Sequence, residues 1–299
     1  MIKPWLQAAR LRTLPLSVSG ILVGSAVAAY QQQFDWRIFI GCIFTTIGLQ
    51  VLSNFANDYG DGVKGTDNEH RIGPQRAIQS GAITPSQMKR VMIFTGIVTF
   101  LIALWLIYIS FEGTSLGYTL LFIGLGVASI VAAIKYTVGK SAYGYSGFGD
   151  IFVFVFFGLL SVIGSYFLYT KSIYTPLWLP AISMGLLSTA VLNLNNMRDR
   201  INDKASKKNT LVVKWGLAKA KKYHSTIIII AMLCMVIFTF WNGYQISHWI
   251  YLLLFQPLLK HLKFVKQNEE EKDFDPELKK VALSTFFVAL LFAIGLLIW

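Results

Sequence analysis

Nine long apolar runs constrain the fold of this chain more than any other feature of its sequence. A helix that crosses a bilayer needs about 20 mostly apolar residues. The predicted spans are residues 14–30, 38–56, 91–110, 117–135, 149–169, 175–195, 223–241, 246–262 and 281–299. The eighth is the least regular, because Pro257, Lys260 and His261 interrupt it. The sequence therefore predicts an all-α integral membrane protein, with residues 1–299 forming one transmembrane domain.

Composition and charge agree with a location in lipid. Only 14% of the residues are charged, against about a quarter in soluble domains. The net charge of +12 lies in short loops rather than on a soluble domain, which argues against nucleic-acid binding. With nine spans, every Lys and Arg except Arg37 and Lys171 falls on one side of the membrane. Because loops rich in Lys and Arg stay in the cytoplasm, we expect a cytoplasmic N-terminus and an external C-terminus.

Two acidic clusters follow predicted spans 2 and 6, in loops at about 54–90 and 195–222. In each cluster the spacing places the side chains on one face of a helix. The members are Asn54, Asp58 and Asp61 in the first cluster and Asn195, Asp199 and Asp203 in the second, with Asn57, Asp67 and Asn196 nearby. The shared Asn-x-x-x-Asp spacing predicts a parallel repeat of two four-helix halves plus a ninth helix. In such a repeat the two clusters face each other across a central cavity.

Facing carboxylates repel one another unless a cation lies between them. Oxygen ligands suit Mg²⁺, which commonly combines one or two carboxylates with phosphate oxygens. Basic side chains in the same loops would neutralise a phosphate group. These candidates are Lys64, Arg71, Arg76, Arg198 and Lys204. The pattern predicts a substrate with a diphosphate head and an apolar tail.

Two simpler interpretations apply to parts of this pattern. Asp and Asn at helix ends often act as caps or turn residues, although matching spacing at two equivalent spans favours a metal site. Basic residues near lipid headgroups often only set topology. We interpret five residues of the second loop in this way: Lys207, Lys208, Lys219, Lys221 and Lys222.

The first cluster resembles a motif of the UbiA superfamily of membrane prenyltransferases. That family has nine transmembrane helices and two cytoplasmic motifs, NDxxDxxxD and DxxxD, after helices 2 and 6. Here Asn57, Asp58 and Asp61 match the start of the first motif, and its third Asp falls two positions late, at Asp67. The resemblance covers essentially the whole chain.

The second motif is matched without departure by Asp199-x-x-x-Asp203. Within the superfamily, the chain most resembles the branch that prenylates 1,4-dihydroxy-2-naphthoate. The residues that carry this likeness are RLRTLP at 10–15, the late Asp67, RIGPQR at 71–76, YGYSGFGD at 143–150 and NNMRD at 195–199.

The resemblance implies transfer of a polyprenyl group from polyprenyl diphosphate to 1,4-dihydroxy-2-naphthoate. The ring carboxylate is lost as CO₂, and the product is demethylmenaquinol. It further implies a bacterial inner membrane and a Mg²⁺ cofactor. The implied metal ligands are Asp58, Asp61, Asp67, Asp199 and Asp203, with Asn54, Asn57 and Asn195 as further oxygen donors. Arg71, Arg76 and Arg198 are then diphosphate ligands.

An acidic aromatic acceptor also needs polar partners. The candidates are Arg10, Arg12, Lys135, Lys140, Asn54 and Tyr143. Lys135 ends an apolar span, with Asp150 as its partner or as a proton acceptor, unless it simply extends to the membrane interface. Three aromatic side chains are candidates to stabilise an allylic carbocation, or alternatively to anchor the interface. They are Tyr136, Tyr143 and Tyr145.

Two alternative functions are a prenyltransferase with a different aromatic acceptor and a membrane transporter. The same family prenylates 4-hydroxybenzoate, homogentisate and haem B, and Asp67 with the 143–150 segment argues against these acceptors. A transporter also combines repeats with charges between helices. Transporter sites lie near the middle of the membrane, however, and no predicted span has Asp or Glu at its centre. An enzyme is therefore the favoured function.

Overall fold

The computed structural model describes residues 2–69, 72–243 and 245–298, and this part of the chain forms helices without any strand. The α-helices are α1 (Ile2–Ala9), α2 (Leu14–Tyr30), α3 (Trp36–Lys64), α4 (Pro85–Phe111), α5 (Leu116–Lys135), α6 (Gly149–Thr170), α7 (Trp178–Arg198), α8 (Arg200–Ala205), α9 (Leu211–Trp215), α10 (Leu217–Trp241), α11 (Phe255–Gln267) and α12 (Phe274–Leu297). The predicted all-α fold is confirmed.

Eight segments among the described residues are long and apolar enough to cross a membrane. They correspond to predicted spans 1 to 7 and 9. The predicted eighth span, 246–262, divides into a 3₁₀ helix at Ile246–Leu254 and the 13-residue helix α11. Several Lys residues make α11 polar on one side, while Leu258 and Val265 are buried on the other. The predicted count of nine spans is not confirmed.

The outer surface of the helix bundle is apolar. On α4, Ile97 and Leu101 are 56% and 59% exposed, and on α5 Leu120 is 59% exposed. Large exposed apolar surfaces are rare on soluble monomers. Together with the eight candidate spans, this surface identifies an integral membrane protein.

Helix α7 lies at the centre of the bundle and packs against α6, α10 and α12. Its side chains Leu187 and Leu194 are fully buried. Gly158 of α6 lies so close to Gly185 of α7 that an added Cβ atom would be 2.6 Å from the Gly185 Cα. Small residues allow helices to approach closely in membranes, and this contact fixes α6 against α7.

Helix α3 carries the first acidic motif because it continues well past the apolar part of its sequence. It begins after Asp35, whose carboxylate accepts a 2.7 Å hydrogen bond from the backbone N–H of Arg37. It ends at Lys64, since Gly65 adopts a left-handed conformation with φ of 73°, which favours glycine. The motif residues up to Asp61 therefore lie on a rigid helix.

Helix α6 contains a π-helical segment, Phe154–Gly164. Such wider turns are rare and occur frequently at functional sites. Several side chains of this segment, including Phe156 and Leu160, line an internal cavity. The irregular turn therefore forms part of the wall of that cavity.

Candidate active site

The first acidic motif is buried on one face of α3. Asn54, Asp58 and Asp61 are 3%, 1% and 9% exposed. The Asn54 side-chain amide donates a 2.8 Å hydrogen bond to the backbone oxygen of Ala9, which fixes the end of α1 against α3. The Asn57 side-chain oxygen accepts a hydrogen bond of 3.2 Å from the Thr137 hydroxyl. The side chains of both asparagines thus form hydrogen bonds that connect α3 with other segments of the chain.

Arginine side chains surround Asp58. Arg10 forms an ion pair with it. The Arg76 Nε atom lies 3.6 Å from Asp58 Oδ1 and 3.9 Å from Asp67 Oδ2. Arg10, Arg12 and Arg76 line a pocket of about 460 Å³ together with Asp58. This basic pocket, between α1 and the loop before α4, suits an anionic group.

The second motif spans the end of α7 and the start of α8. The backbone N–H of Asp199 donates to the Asn195 oxygen at 3.0 Å, and that of Asp203 donates to the Asp199 oxygen at 2.8 Å. Helical hydrogen bonding therefore continues from α7 into α8. As a result, Asn195, Asp199 and Asp203 lie on the same helical face.

The structure brings the two motifs together. The Asn202 side-chain amide donates a 2.9 Å hydrogen bond to the backbone oxygen of Thr66. The Tyr145 hydroxyl donates a 2.7 Å hydrogen bond to Asp61 Oδ1 and lies 2.6 Å from the Thr66 hydroxyl oxygen. The carboxylates of the two motifs therefore share one polar region.

Lys208 lies beside Asp203 of the second motif, in the interior and not at the lipid headgroups where it was expected. The residue is 7% exposed, and its Nζ atom is 3.4 Å from Asp203 Oδ1. Burial alone would lower the pKa of Lys208, but the carboxylates of Asp203 and Asp61 outweigh burial and raise it. The Nζ atom also lies 5.7 Å from the centre of the Tyr145 ring. This ammonium group is thus an internal cation of the site.

Burial also affects the carboxyl group of Asp203. It raises the pKa of Asp203 to about 6, with Lys208 acting in the opposite direction. An isolated buried carboxylate is costly, so the nearby ammonium group is the main compensation. Asp203 and Lys208 form one electrostatic unit.

Arg198 was predicted to bind diphosphate, but in the structure its guanidinium group contacts other residues of the protein. It is 2% exposed, and its donors contact Asp199, Asn195 and Asp275 at 2.5–2.9 Å. With these contacts formed, Arg198 orients the second motif. Its predicted contact with diphosphate requires a rearrangement of this network.

The predicted pair between Lys135 and Asp150 does not form. Lys135 is exposed at the end of α5, whereas Asp150 is 6% exposed, and no ion pair joins them among the described residues. The flexible Lys135 side chain extends outward because exposure avoids the cost of burying its charge. Lys140 and Lys204 are exposed as well. Arg71 lies outside the described residues.

Lys64 remains close to the site. Its Nζ atom donates a 2.7 Å hydrogen bond to the backbone oxygen of Thr137 and lies 3.9 Å from the centre of the Tyr145 ring. A second ammonium group therefore lies beside the tyrosine that holds Asp61.

An apolar cavity of about 340 Å³ lies among α2 to α6 and reaches the first motif, since Asn54 and Asn57 line it. Tyr136, Tyr143 and Phe152 contribute aromatic walls near this end. The rings of Tyr143 and Phe152 are stacked with centres 3.8 Å apart, and Tyr136 packs edge-on against Tyr143 at 5.3 Å. Of the predicted aromatic candidates, Tyr136 and Tyr143 line the cavity, and Tyr145 contacts Asp61 instead.

The donor atoms of the site suit a hard divalent cation. No group of three acidic, His or Cys residues among those described is arranged to enclose an ion. Mg²⁺, however, typically takes one or two carboxylates and completes its shell with substrate phosphates and water. Within the described part of the chain, Asp58 Oδ2 and Asp203 Oδ2 are buried and accept no hydrogen bond. These two oxygens fit the requirement of Mg²⁺ for a small number of carboxylate ligands.

Sequence reasoning missed three groups of the site. Lys208 and Asn202 carry no motif of their own, but both lie within six residues of the second motif. Phe152 lies in an apolar run and gives no separate signal. The sequence could have indicated Lys208 and Asn202 by their closeness to the second motif. The role of Phe152 became visible only from the packing of α6 against Tyr143 in the structure.

Fold and site together define a helical membrane protein with two adjoining acidic motifs beside an apolar cavity. The sequence model of the UbiA prenyltransferase family matches residues 17–291, and the chain belongs to this family.

Similar proteins carry the name 1,4-dihydroxy-2-naphthoate octaprenyltransferase. The one from Haemophilus influenzae is 44% identical, over 99% of this chain and 96% of the relative. The one from Escherichia coli is 41% identical, over 98% of this chain and 94% of the relative. The alignments thus extend over nearly the full length of both partners.

Solved structures share the fold. The apo structure of a UbiA homolog from Aeropyrum pernix has a TM-score of 0.72 and 12% identity, covering 97% of this chain and 98% of that chain. A UbiA homolog from Archaeoglobus fulgidus, bound to DMAPP and Mg²⁺, has a TM-score of 0.61 and 12% identity, covering 97% and 99%. At this identity the likeness shows the fold alone.

Proposed function

We propose that this protein transfers a polyprenyl group from polyprenyl diphosphate to 1,4-dihydroxy-2-naphthoate, with loss of the ring carboxylate as CO₂. The names of the relatives from H. influenzae and E. coli support this reaction. The observation that carries the proposal is the position of the apolar cavity. It ends at Asn54 and Asn57, on the turns of α3 beside Asp58 and Asp61. A diphosphate held at the motifs would therefore direct its hydrocarbon tail into the cavity.

Mg²⁺ is the proposed cofactor, since the site offers buried oxygen donors. When bound, it supplies positive charge that stabilises the departing diphosphate. The residues that would hold it are Asp58, Asp61, Asp67, Asp199 and Asp203, with Asn54, Asn57 and Asn195 as additional oxygen donors. The Arg76 guanidinium lies beside Asp58, and the Lys64 ammonium lies beside Tyr145, which holds Asp61. Both cations would contact phosphate oxygens of a diphosphate held at the motifs. Such charge-assisted hydrogen bonds are stronger than neutral ones.

Cleavage of the bond between the prenyl carbon and the diphosphate oxygen leaves an allylic carbocation. The faces of Tyr136, Tyr143 and Phe152 surround the cavity end where this carbon would lie. An aromatic face stabilises a desolvated cation by about 0.5–2 kcal/mol. The apolar lining also keeps water, a competing nucleophile, away from the cation.

The acceptor is proposed to bind in the basic pocket. Its carboxylate would pair with Arg12 or Arg10, and the pocket adjoins Asp58 of the first motif. A planar guanidinium group binds a carboxylate in a two-pronged geometry. An acceptor bound in this pocket would lie beside Asp58, and so close to a donor diphosphate held at the first motif.

The orientation in the membrane is also a proposal. The basic loops predict that both motifs face the cytoplasm of a bacterial inner membrane. In that orientation water-soluble naphthoate and diphosphate groups reach the site from the cytoplasm, and the tail remains in the hydrophobic layer.

The decisive test is an assay of the purified protein with 1,4-dihydroxy-2-naphthoate, polyprenyl diphosphate and MgCl₂, read by mass spectrometry. We expect a prenylated product that has lost CO₂, and no product in EDTA. Parallel reactions contain 4-hydroxybenzoate or homogentisate instead. Prenylation of either of these compounds, without reaction of dihydroxynaphthoate, would contradict the proposed acceptor.

A further inference from the structure

Lys208 is the most deeply buried ammonium group beside the acidic motifs. Its side chain is 9% exposed and that of Asp203 is 2% exposed, with 3.4 Å between Nζ and Oδ1. Asp61, on the other motif, also acts on it electrostatically. The lysine thus contacts a carboxylate of the second motif and lies 5.7 Å from the ring centre of Tyr145, whose hydroxyl donates a hydrogen bond to Asp61 of the first motif.

The turn that carries Lys208 is fixed at several points. Lys207 adopts a left-handed conformation with φ of 58°. The backbone N–H of Lys208 donates a 2.8 Å hydrogen bond to the Asp203 oxygen, and that of Asn209 donates a 3.0 Å hydrogen bond to the Tyr145 oxygen. The Thr210 hydroxyl then accepts from the backbone at the start of α9. These bonds hold the Lys208 side chain in the site, although its neighbour Lys207 is exposed.

A carboxylate from each motif, both buried, would repel the other without a cation between them. Resting on the proposed function, we propose that Lys208 is a positioning residue that holds Asp61 and Asp203 at a common cation site and competes with Mg²⁺ for them. The ammonium group neutralises the carboxylates while no metal is bound. It also prevents the motifs from separating between turnovers, and it then remains as a donor beside the incoming diphosphate.

The proposal has a measurable consequence in the absence of substrate. Without Lys208, the metal-free protein contains uncompensated buried carboxylates, which strongly destabilise folded proteins. Mg²⁺ would then replace the missing cation. The variant should therefore be destabilised in EDTA and should gain more stability from Mg²⁺ than the wild type gains.

The experiment uses the full-length protein in detergent and measures Tm in EDTA and across a MgCl₂ titration. For Lys208→Met, which preserves side-chain length, we expect a Tm in EDTA lower by roughly 5 °C. Saturating Mg²⁺ should recover most of this loss. Lys208→Arg should retain the wild-type behaviour, and Lys219→Ala, an exposed lysine on α10, is the matched control for loss of one positive charge.

A second variant separates electrostatics from packing. If Lys208 acts by neutralising Asp203, the double variant Asp203→Asn/Lys208→Met should recover part of the Tm that Lys208→Met loses in EDTA. An unchanged Tm for Lys208→Met, or an equal gain from Mg²⁺ in variant and wild type, would overturn the inference. So would a double variant that is as unstable as the sum of the single variants. Should Lys208→Met fail to fold, purification of the folded double variant would support the inference and its failure would contradict it.

The two proposals fail in different ways. If the wild type forms no prenylated product, the proposed function is wrong, whatever the stability of the variants. If the wild type is active with Mg²⁺ but Lys208→Met behaves like the wild type in both conditions, only the role of Lys208 is wrong.

Discussion

The side-chain amide of Asn202 donates a 2.9 Å hydrogen bond to the backbone carbonyl oxygen of Thr66. Asn202 precedes Asp203 of the second motif, and Thr66 precedes Asp67 of the first. Both residues are buried. One hydrogen bond thus connects helix α8 with the loop after α3, more than 130 residues away in the chain, beside the carboxylates of both motifs.

Removal of this bond should weaken diphosphate binding. We expect Asn202→Ala to cost about 1–3 kcal/mol of stability, because it leaves a buried carbonyl oxygen without a partner, and to raise the KM for prenyl diphosphate. Chemical denaturation and steady-state kinetics measure the two effects. Asn268→Ala is the matched control, since Asn268 forms a 2.8 Å side-chain-to-backbone hydrogen bond in an exposed turn. Equal effects of the two variants would mean that the Asn202 bond has no special role.

The carboxylates themselves should be essential. We expect Asp58→Asn and Asp199→Asn each to lower kcat/KM by roughly 100-fold or more, because each removes a negative ligand of the proposed metal site. The control is Asp35→Asn, which changes a carboxylate at the start of α3 that pairs with Arg37. Asn also caps helices well, so this variant should fold and retain its activity. Wild-type turnover in Asp58→Asn and Asp199→Asn would exclude the metal site.

The parts of this site that the sequence predicted depend on local geometry. The spacing of Asn54, Asp58 and Asp61 needs only a continuous helix to place them together, and α3 provides one. The apolar spans follow from length and composition in the same way. The eighth predicted span is the exception, because the charged residues of α11 interrupt its apolar sequence.

The parts that the sequence did not predict depend on contacts between distant segments. Lys208 is one of several lysines after the second motif, and only the turn at Lys207 directs it into the site. Arg198 contacts Asp275, which is 77 residues away, so no local pattern shows that its donors are occupied. Long-range ion pairs of this kind are set by tertiary packing.

The aromatic wall should stabilise the cationic intermediate. We expect Phe152→Leu to lower kcat by roughly 2- to 30-fold with little change in KM, because it removes about 0.5–2 kcal/mol of stabilisation from the charged state alone. Phe148→Leu is the control, since Phe148 lies just before α6 and is 53% exposed. Tyr136→Phe keeps the ring and should retain most of the rate. A rise in KM without a fall in kcat would show that Phe152 only binds substrate.

Magnesium dependence should vary with pH through Asp203. Burial raises the pKa of Asp203 to about 6, and only the carboxylate form binds a cation. Below pH 6, the Mg²⁺ concentration for half-maximal rate should rise by up to about 10-fold per pH unit. The folded protein takes up this proton at a higher pH than the unfolded chain, whose Asp pKa is near 3.9. Protonation of Asp203 therefore favours the folded state as the pH falls from 6 to 4, so loss of activity with no fall in Tm would support this assignment. A Mg²⁺ requirement that is constant from pH 7 to 5 would contradict it.

Two glycines of α5 allow the cavity to be tested as the site of the prenyl tail. A Cβ atom added at Gly126 or at Gly124 would meet no atom within 4 Å, but only Gly126 lines the cavity. We expect Gly126→Leu to raise the KM for a long prenyl diphosphate by roughly 10-fold, because the new side chain fills space that the tail needs. The KM for dimethylallyl diphosphate, which has a single isoprene unit, should change much less. Gly124→Leu introduces the same side chain on the exposed face of the same helix and should leave both values unchanged. Equal KM values for long and short donors in Gly126→Leu would show that the prenyl tail lies outside this cavity. The donor would then have to extend from the motifs in another direction.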